Sequence, residues 1–503
     1  MNKSEIRRLE IIEKRVRELA EEFGLLTTDI LFEIVPSQRM LEGMAYGFPA
    51  NFSHWSFGRD YEKMRTIYDH SGAGIPYEVV WNFDIPRAFV VETNPFALNA
   101  LIVAHVYGHV DFFLASRYCQ HGRSFSDIAE EARNAAQRFR EYEAKYGKEK
   151  VEKTIDAGIS IRWQEHPDLF FEENLDNDAA REHLIMRERE KLKRARDFYS
   201  EFKKLETKEE IENIQNYLRH SAELTPPEPI HDLLGYVVRY SAALHSWQRD
   251  ILSVIRNQSR ALSPNARTKM LNEGWATYWH VRIMRKLFEE GFLTKEEHGV
   301  FNSFHSGVTR DHKLGFNWYR LGPMLYEYVE ERWNKGQFGK EYDECENPIE
   351  KVYWDKKAGK GTEKIFSLRS LYNDRMAVEE FFTDEFIWRN KLFIFKREIN
   401  EQTGDISYVI VERSPETIRQ MLKKQFASPL GTQQIVITNS DYHRRGELCL
   451  KHHYYGIEFD GLYRDGTLQN LYFLWGKRVF LETVVDKNSV EFEFNGKQIK
   501  ISK

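Results

Sequence analysis

The sequence predicts a mainly α large domain over residues 1–390, helical with a few short strands, followed by a small C-terminal α+β domain over residues 391–503. Three observations predict it. Apolar residues recur at helical spacing through most of the first 390 positions. Beyond Lys391 the pattern turns alternating and β-branched. The 503 residues are also more than a single hydrophobic core usually serves.

Residues 4–23 predict an amphipathic helix. Ser4 is placed to cap it, Ile6, Leu9, Ile12, Val16 and Leu19 lie near one face, and Gly24 stops it. From Met40 to Val91, Gly, Pro and aromatic residues dominate, which predicts short strands and ordered loops. Asn94-Pro95 then opens a helix at about 95–118, with Leu98, Leu101, Ile102, His105, His109 and Phe112 in helical register. Residues 126–154 and 176–222 predict helices with charged faces. The run REREKLKRAR at 187–196 reads as a solvated helix or an insertion.

A helix over 230–258 follows. Ser263-Pro264 starts the next, with Ser as N-cap and Pro at the first helical position, and carries TKMLNEGWATYWHVRIMRKLF to about Gly291. Further helices are predicted at 317–334 and 374–390, the first ending on Arg332, Lys335 and a left-handed Gly336. In the terminal domain strands are expected at 392–396, 407–412, 433–438, 447–453, 456–463, 468–475 and 477–484. One helix at 415–425 interrupts them, and Asp460-Gly461, Asp465-Gly466 and Asn495-Gly496 signal turns. Lys451, His452, His453, Arg464, Lys477 and Arg478 read as basic residues on exposed strand faces.

Bulk properties exclude several classes. A net charge of −5 argues against a general nucleic-acid binder. Cys119, Cys345 and Cys449 are far apart and form no CxxC zinc pattern, which fits a reducing compartment. The start, MNKSEIRRLEIIEKRV, has no apolar signal core, and no stretch is expected to reach the roughly 20 apolar residues of a membrane span. The expected location is cytoplasmic.

The chemistry concentrates in two segments. His105 and His109 are four apart, so on a helix they project from one face and can hold one metal ion. The plain alternative is a pair of packed core histidines. Glu273 lies in MLNEGWATYWH, which resembles the second motif of gluzincin metallopeptidases, where a helical N-E-G-F-A supplies a glutamate as third zinc ligand. That resemblance implies a zincin-like helical core and a divalent metal, zinc favoured, held by His105, His109 and Glu273. His280, seven residues on, is a candidate fourth ligand or a partner orienting Glu273; a stacked core histidine is the alternative.

The water-activating glutamate of gluzincins follows the first histidine, and here that position is Val106. A valine accepts no proton, so the residue that would act as base is open. Asp111 projects elsewhere on the helix, and Glu92, Glu165 and His166 are unplaced candidates. The cluster His245-Ser-Trp-Gln-Arg-Asp250 reads as a structural polar network near the metal helix, and His54 with Trp55 as pocket-lining or packed residues.

The segments FSHWSFG (52–58), AHVYGHVDFF (104–113), WQRDILSVIR (247–256), KMLNEGWATYWH (269–280), EERWNKGQFG (330–339), LYNDRMAVEEFFTDEF (371–386) and LWGKRVFLET (474–483) together resemble the stage V sporulation protein R family. The resemblance implies a cytosolic protein linked to spore cortex formation in spore formers or to stress signalling. It implies a serine protein kinase and a von Willebrand-type domain protein as associated partners. It does not imply an established reaction. Two functions follow as expectations: a metal-dependent hydrolase of peptide or amide bonds, or a non-catalytic regulatory or scaffold protein.

Overall fold

Every residue from Ala97 to Phe113 is buried in the helix Phe96–Ala115. A helix that is apolar all round must be enclosed on all sides, and this one organises the first half of the molecule. It is long and apolar enough to cross a membrane by length and composition, contrary to the expectation from sequence, and it is almost wholly buried inside the protein. The computed structural model describes residues 1–48, 51–71, 78–123, 128–171, 185–186, 190, 229–312, 314–399, 404–426 and 431–502. The predicted helix at 176–222, with its charged run, lies outside these residues except at 185–186 and 190.

The chain divides into two compact units, each built from two stretches: 1–133 with 260–430, and 134–259 with 431–503. The sequence places its boundary at 390/391 instead. The strands β4 (Ile394–Ile399) and β5 (Ile406–Glu412) and the helix Pro415–Gln425 belong to the first unit. Ile418 and Leu422 of that helix are buried in its core.

In the first unit the helix Lys3–Glu22 lies against Phe96–Ala115 through Leu9, Ile12, Val16 and Leu19. Asn2 caps it in a capping box with Glu5, two residues earlier than the expected Ser4. A three-stranded sheet has the order β1 (Leu31–Val35), β3 (Arg87–Val91), β2 (Glu78–Trp81), with β1 parallel and β2 antiparallel to β3. Along β3, Ala88 and Val90 join the main core while Phe89 and Val91 join a second cluster with Met40, Phe48 and Trp81. The Gly- and aromatic-rich stretch expected as strands and loops also contains the helices Ser37–Tyr46 and Trp55–Ser71.

The helix Lys269–Glu289 packs on Phe96–Ala115 and on Trp318–Lys335. Its start corrects the sequence reading. Pro264 sits inside the preceding helix Ser246–Arg267, and the break comes at Thr268. The predicted 230–258 helix is likewise two, Leu233–Tyr240 and Ser246–Arg267. Between them the Ser241 hydroxyl accepts from Ala243 N and donates to Leu474 O, which turns the chain. The 374–390 stretch splits into Asp374–Phe381 and Asp384–Arg389.

The second unit carries a five-stranded sheet in the order β10 (Ile499–Ser502), β9 (Asn488–Phe494), β8 (Val479–Val485), β7 (Glu447–His452), β6 (Ile435–Tyr442). β7 and β8 are parallel, and parallel neighbours need a crossover, usually helical. The helix Gly461–Trp475 supplies it, with Leu468, Leu471, Leu474 and Trp475 buried. The strands expected at 456–463 and 468–475 are therefore incorrect. Asp460 caps this helix, and Arg464 lies on it over the Phe492 ring.

Candidate metal centre

Two backbone contacts bring the site together. A Cβ on Gly108 would lie 2.6 Å from Ala276 Cα, so the histidine helix approaches the Glu273 helix closely only because residue 108 is glycine. On the other side, a Cβ on Gly274 would lie 2.5 Å from Gly322 Cα in the helix Trp318–Lys335. Each residue of the Asn272–Ala276 motif thus has a task. Asn272 faces His109, Glu273 faces both histidines, Gly274 admits the third helix, and Ala276 lies under Gly108. Trp275 Nε1 donates to Asp111 Oδ2 at 2.6 Å.

The Glu273 helix is capped from outside its own chain segment. Asp374 accepts from Met270 N at 2.8 Å and Leu271 N at 3.0 Å. Burial pushes this carboxyl up to about 7 against the pull of those two N–H groups.

At the centre, His105 Nε2 and His109 Nε2 each stand 3.5 Å from the same atom, Glu273 Oε2. That is long for an N–H···O bond. Among the described residues, neither His105 Nε2 nor Glu273 Oε2 has a hydrogen-bond partner, though both are buried. Atoms about 2.0–2.2 Å from a tetrahedral ion stand roughly 3.3–3.6 Å from each other, so the observed spacing fits a shared ion better than direct bonding.

The far sides of the rings agree with this. His109 Nδ1 lies 2.9 Å from Asn272 Oδ1, an acceptor, so Nδ1 carries the proton and Nε2 presents its lone pair. His105 Nδ1 lies 2.8 Å from His280 Nδ1, and His280 Nε2 lies 3.1 Å from His305 Nδ1. With His105 Nδ1 as donor, the proton positions along all three rings follow, and in the neutral form of His105 its Nε2 is also a free lone pair. Tyr319 stacks on His105 at 6.2 Å.

Burial pulls His109 down, and the charge of His105 adds to it, to about 4. Burial also pulls on His105, but Glu273 and Glu78 outweigh it and hold His105 above its ordinary value. Burial would raise Glu273; the two histidines instead bring it to about 2. His280 is held well below its ordinary value by burial, then by His105 and His305. The centre therefore combines an ionised carboxylate with one imidazole, His109, whose lone pair is available near neutral pH, and a second, His105, that the neighbouring carboxylates hold toward its protonated form.

Of the residues singled out in the sequence, His105, His109 and Glu273 converge. His280 does not join them: both its ring nitrogens face other histidines, which places it behind His105. Asp111 is fully buried and paired with Arg369 at 2.5 Å. Glu92 is exposed at the end of β3, and Glu165 and His166 belong to the second unit. His54 is buried with Nδ1 2.7 Å from Ser56 Oγ.

The His245–Asp250 cluster is a structural network, but its partners lie in the second unit and not at the helices of His105 and Glu273. Asp250 pairs with Arg138 and accepts from Tyr142, and Gln248 donates to Thr154. His452, expected on an exposed face, is buried between Thr483 and Gln433.

The residue that sequence reasoning missed is Glu78, the first residue of β2. Its Oε1 lies 3.9 Å from His105 Nε2, and ligand atoms of Glu78, His105 and His109 all lie within 4.8 Å of one another. Burial pushes Glu78 up, with His105 opposing. A glutamate heading the apolar run Glu78-Val-Val-Trp81 was the available signal.

Comparison with known proteins adds the context. The family model described as SpoVR like protein matches residues 3–429, a stretch that holds Glu78, His105, His109 and Glu273. A protein of Escherichia coli (strain K12) with the name "Uncharacterized protein YcgB" is 25% identical over 501 residues, covering 96% of this chain and 93% of that one. No solved structure matches. With most of its length inside the family model, the chain belongs to the SpoVR-like protein family.

Proposed function

We propose that the chain binds one divalent metal ion, zinc favoured, through His105, His109 and Glu273, and that the centre hydrolyses a peptide or amide bond. The observation that carries this reading is the pair of 3.5 Å approaches to a single Glu273 oxygen by two buried imidazole nitrogens. Two histidines on one helix and a glutamate on a later one form a gluzincin-like set, consistent with a zincin-like core. A bound ion there would polarise a carbonyl and acidify a water. The chain's own residues hold the ligand tautomers and exclude bulk water around them.

Val106 favours a second reading. With no carboxylate after the first histidine, a non-catalytic regulatory protein could keep the ion for stability and act through a serine protein kinase and a von Willebrand-type domain protein. The spore cortex link of the resembled family makes muropeptides the first substrates to try. Metal analysis of purified protein should find about one equivalent of zinc or a similar ion, with His109→Ala and Glu273→Ala depleted. Absence of metal in the wild type would sink both readings. Muropeptide cleavage by the wild type but not by His109→Ala selects the hydrolase; a metal-loaded protein that cleaves nothing selects the regulator.

A further inference from the structure

We infer that Glu78 is a fourth protein ligand, which makes the centre a two-histidine, two-carboxylate site. The inference rests on the metal reading above and adds a residue from a different element. Two atoms bound to one ion at about 2.0–2.2 Å can stand no more than about 4.4 Å apart. Glu78 Oε1 and His105 Nε2 are 3.9 Å apart, inside that limit. The side chain is 15% exposed and faces the buried His105 Nε2, which has no hydrogen-bond partner among the described residues.

The position of Glu78 is fixed by sheet pairing. Glu78 pairs with Val90, Val79 with Phe89, and Trp81 at the strand's other end is buried. Five residues after Val91 the chain enters the helix that carries both histidines. One strand pair therefore sets the carboxylate against the imidazoles.

Charge agrees with geometry. With Glu78 and Glu273 ionised and both imidazoles neutral, as ligands to a cation must be, the four groups would sum to −2 in a buried space. A divalent ion cancels that charge. The nitrogen and oxygen donors, with no thiolate, suit zinc, iron(II) or manganese(II) rather than a thiophilic ion.

The test uses the full chain, stripped of metal and reloaded with zinc or cobalt(II). Zinc affinity is read by chelator competition and coordination by cobalt absorption, for wild type, Glu78→Gln and Glu78→Asp. Melting of the metal-free proteins checks folding. Glu78→Gln should bind zinc roughly ten-fold or more weakly, with an altered cobalt spectrum and an unchanged metal-free melt. Glu78→Asp, which keeps the charge, should recover part of the affinity. Wild-type affinity and spectrum in Glu78→Gln overturn the inference, even if hydrolysis is lost, because Glu78 would then act on bound water and not on the ion. A wild type that takes up neither metal overturns the site as well as this ligand. A wild type that binds while His109→Ala does not leaves the site standing, whatever Glu78 does.

Discussion

Behind each imidazole stands a different support. His109 is oriented by an amide oxygen one residue from Glu273, and His105 by a second histidine that leads to a third. Outer partners of this kind typically contribute 10–100-fold to metal affinity. Asn272→Ala and His280→Ala should each weaken zinc binding by about that factor; both side chains are buried, so the metal-free proteins should also melt lower, and chelator competition and a thermal melt read the two effects separately. Arg369 has the opposite profile. It touches no ligand, but it neutralises the fully buried Asp111. Arg369→Met should destabilise the fold by about 3–5 kcal/mol in denaturant unfolding, because an unpaired charge is left in the core. The spacing of His105, His109 and Glu273 was legible because four residues on a helix share a face whatever else the chain does. Glu78 was not legible, since it reaches the site through strand pairing that no local pattern encodes.

At the scale of elements, helix crossings decide whether the ligands meet. Gly108→Ala places a methyl group against Ala276 Cα. The expected result is a loss of about 1–3 kcal/mol together with lower metal occupancy, since the two ligand helices must separate. Occupancy that stays at the wild-type level in a folded Gly108→Ala would show that the crossing has slack. Removing the cap is a second test. Asp374→Ala leaves Met270 N and Leu271 N without their acceptor and should cost about 1–3 kcal/mol. Hydrogen exchange should quicken first at the start of the Glu273 helix. The same elements show where sequence patterns mislead. The 456–475 segment is rich in aromatic and apolar residues on several sides, with Leu462 and Tyr463 exposed, and so imitates strands. The helix Gly461–Trp475 within it follows from the parallel pairing of β7 and β8, a long-range constraint. Gly336 was readable as a helix stop and Asn495-Gly496 as a turn because a left-handed residue is a local requirement, and both glycines have positive φ.

For the whole molecule, an ion held as proposed, by one strand and two helices of the first unit, would link binding to the stability of that unit. At a hundred times its dissociation constant, an ion adds about 2.7 kcal/mol. Chelation should therefore speed hydrogen exchange in Phe96–Ala115 and Lys269–Glu289 and leave β6–β10 unaffected; a uniform change across both units would place the ion elsewhere. The enclosed helix also has a consequence for biosynthesis. Its neighbour in the core lies far along the chain, with His109 and Glu273 separated by 273 − 109 = 164 residues. At roughly 5–20 residues per second, about 8–33 s of translation separate the two. During that interval a helix apolar enough for a bilayer has left the ribosome without the cover of Lys269–Glu289. The nascent chain at this stage should be a preferred client for chaperones, and truncation just before Lys269 should yield an aggregating fragment.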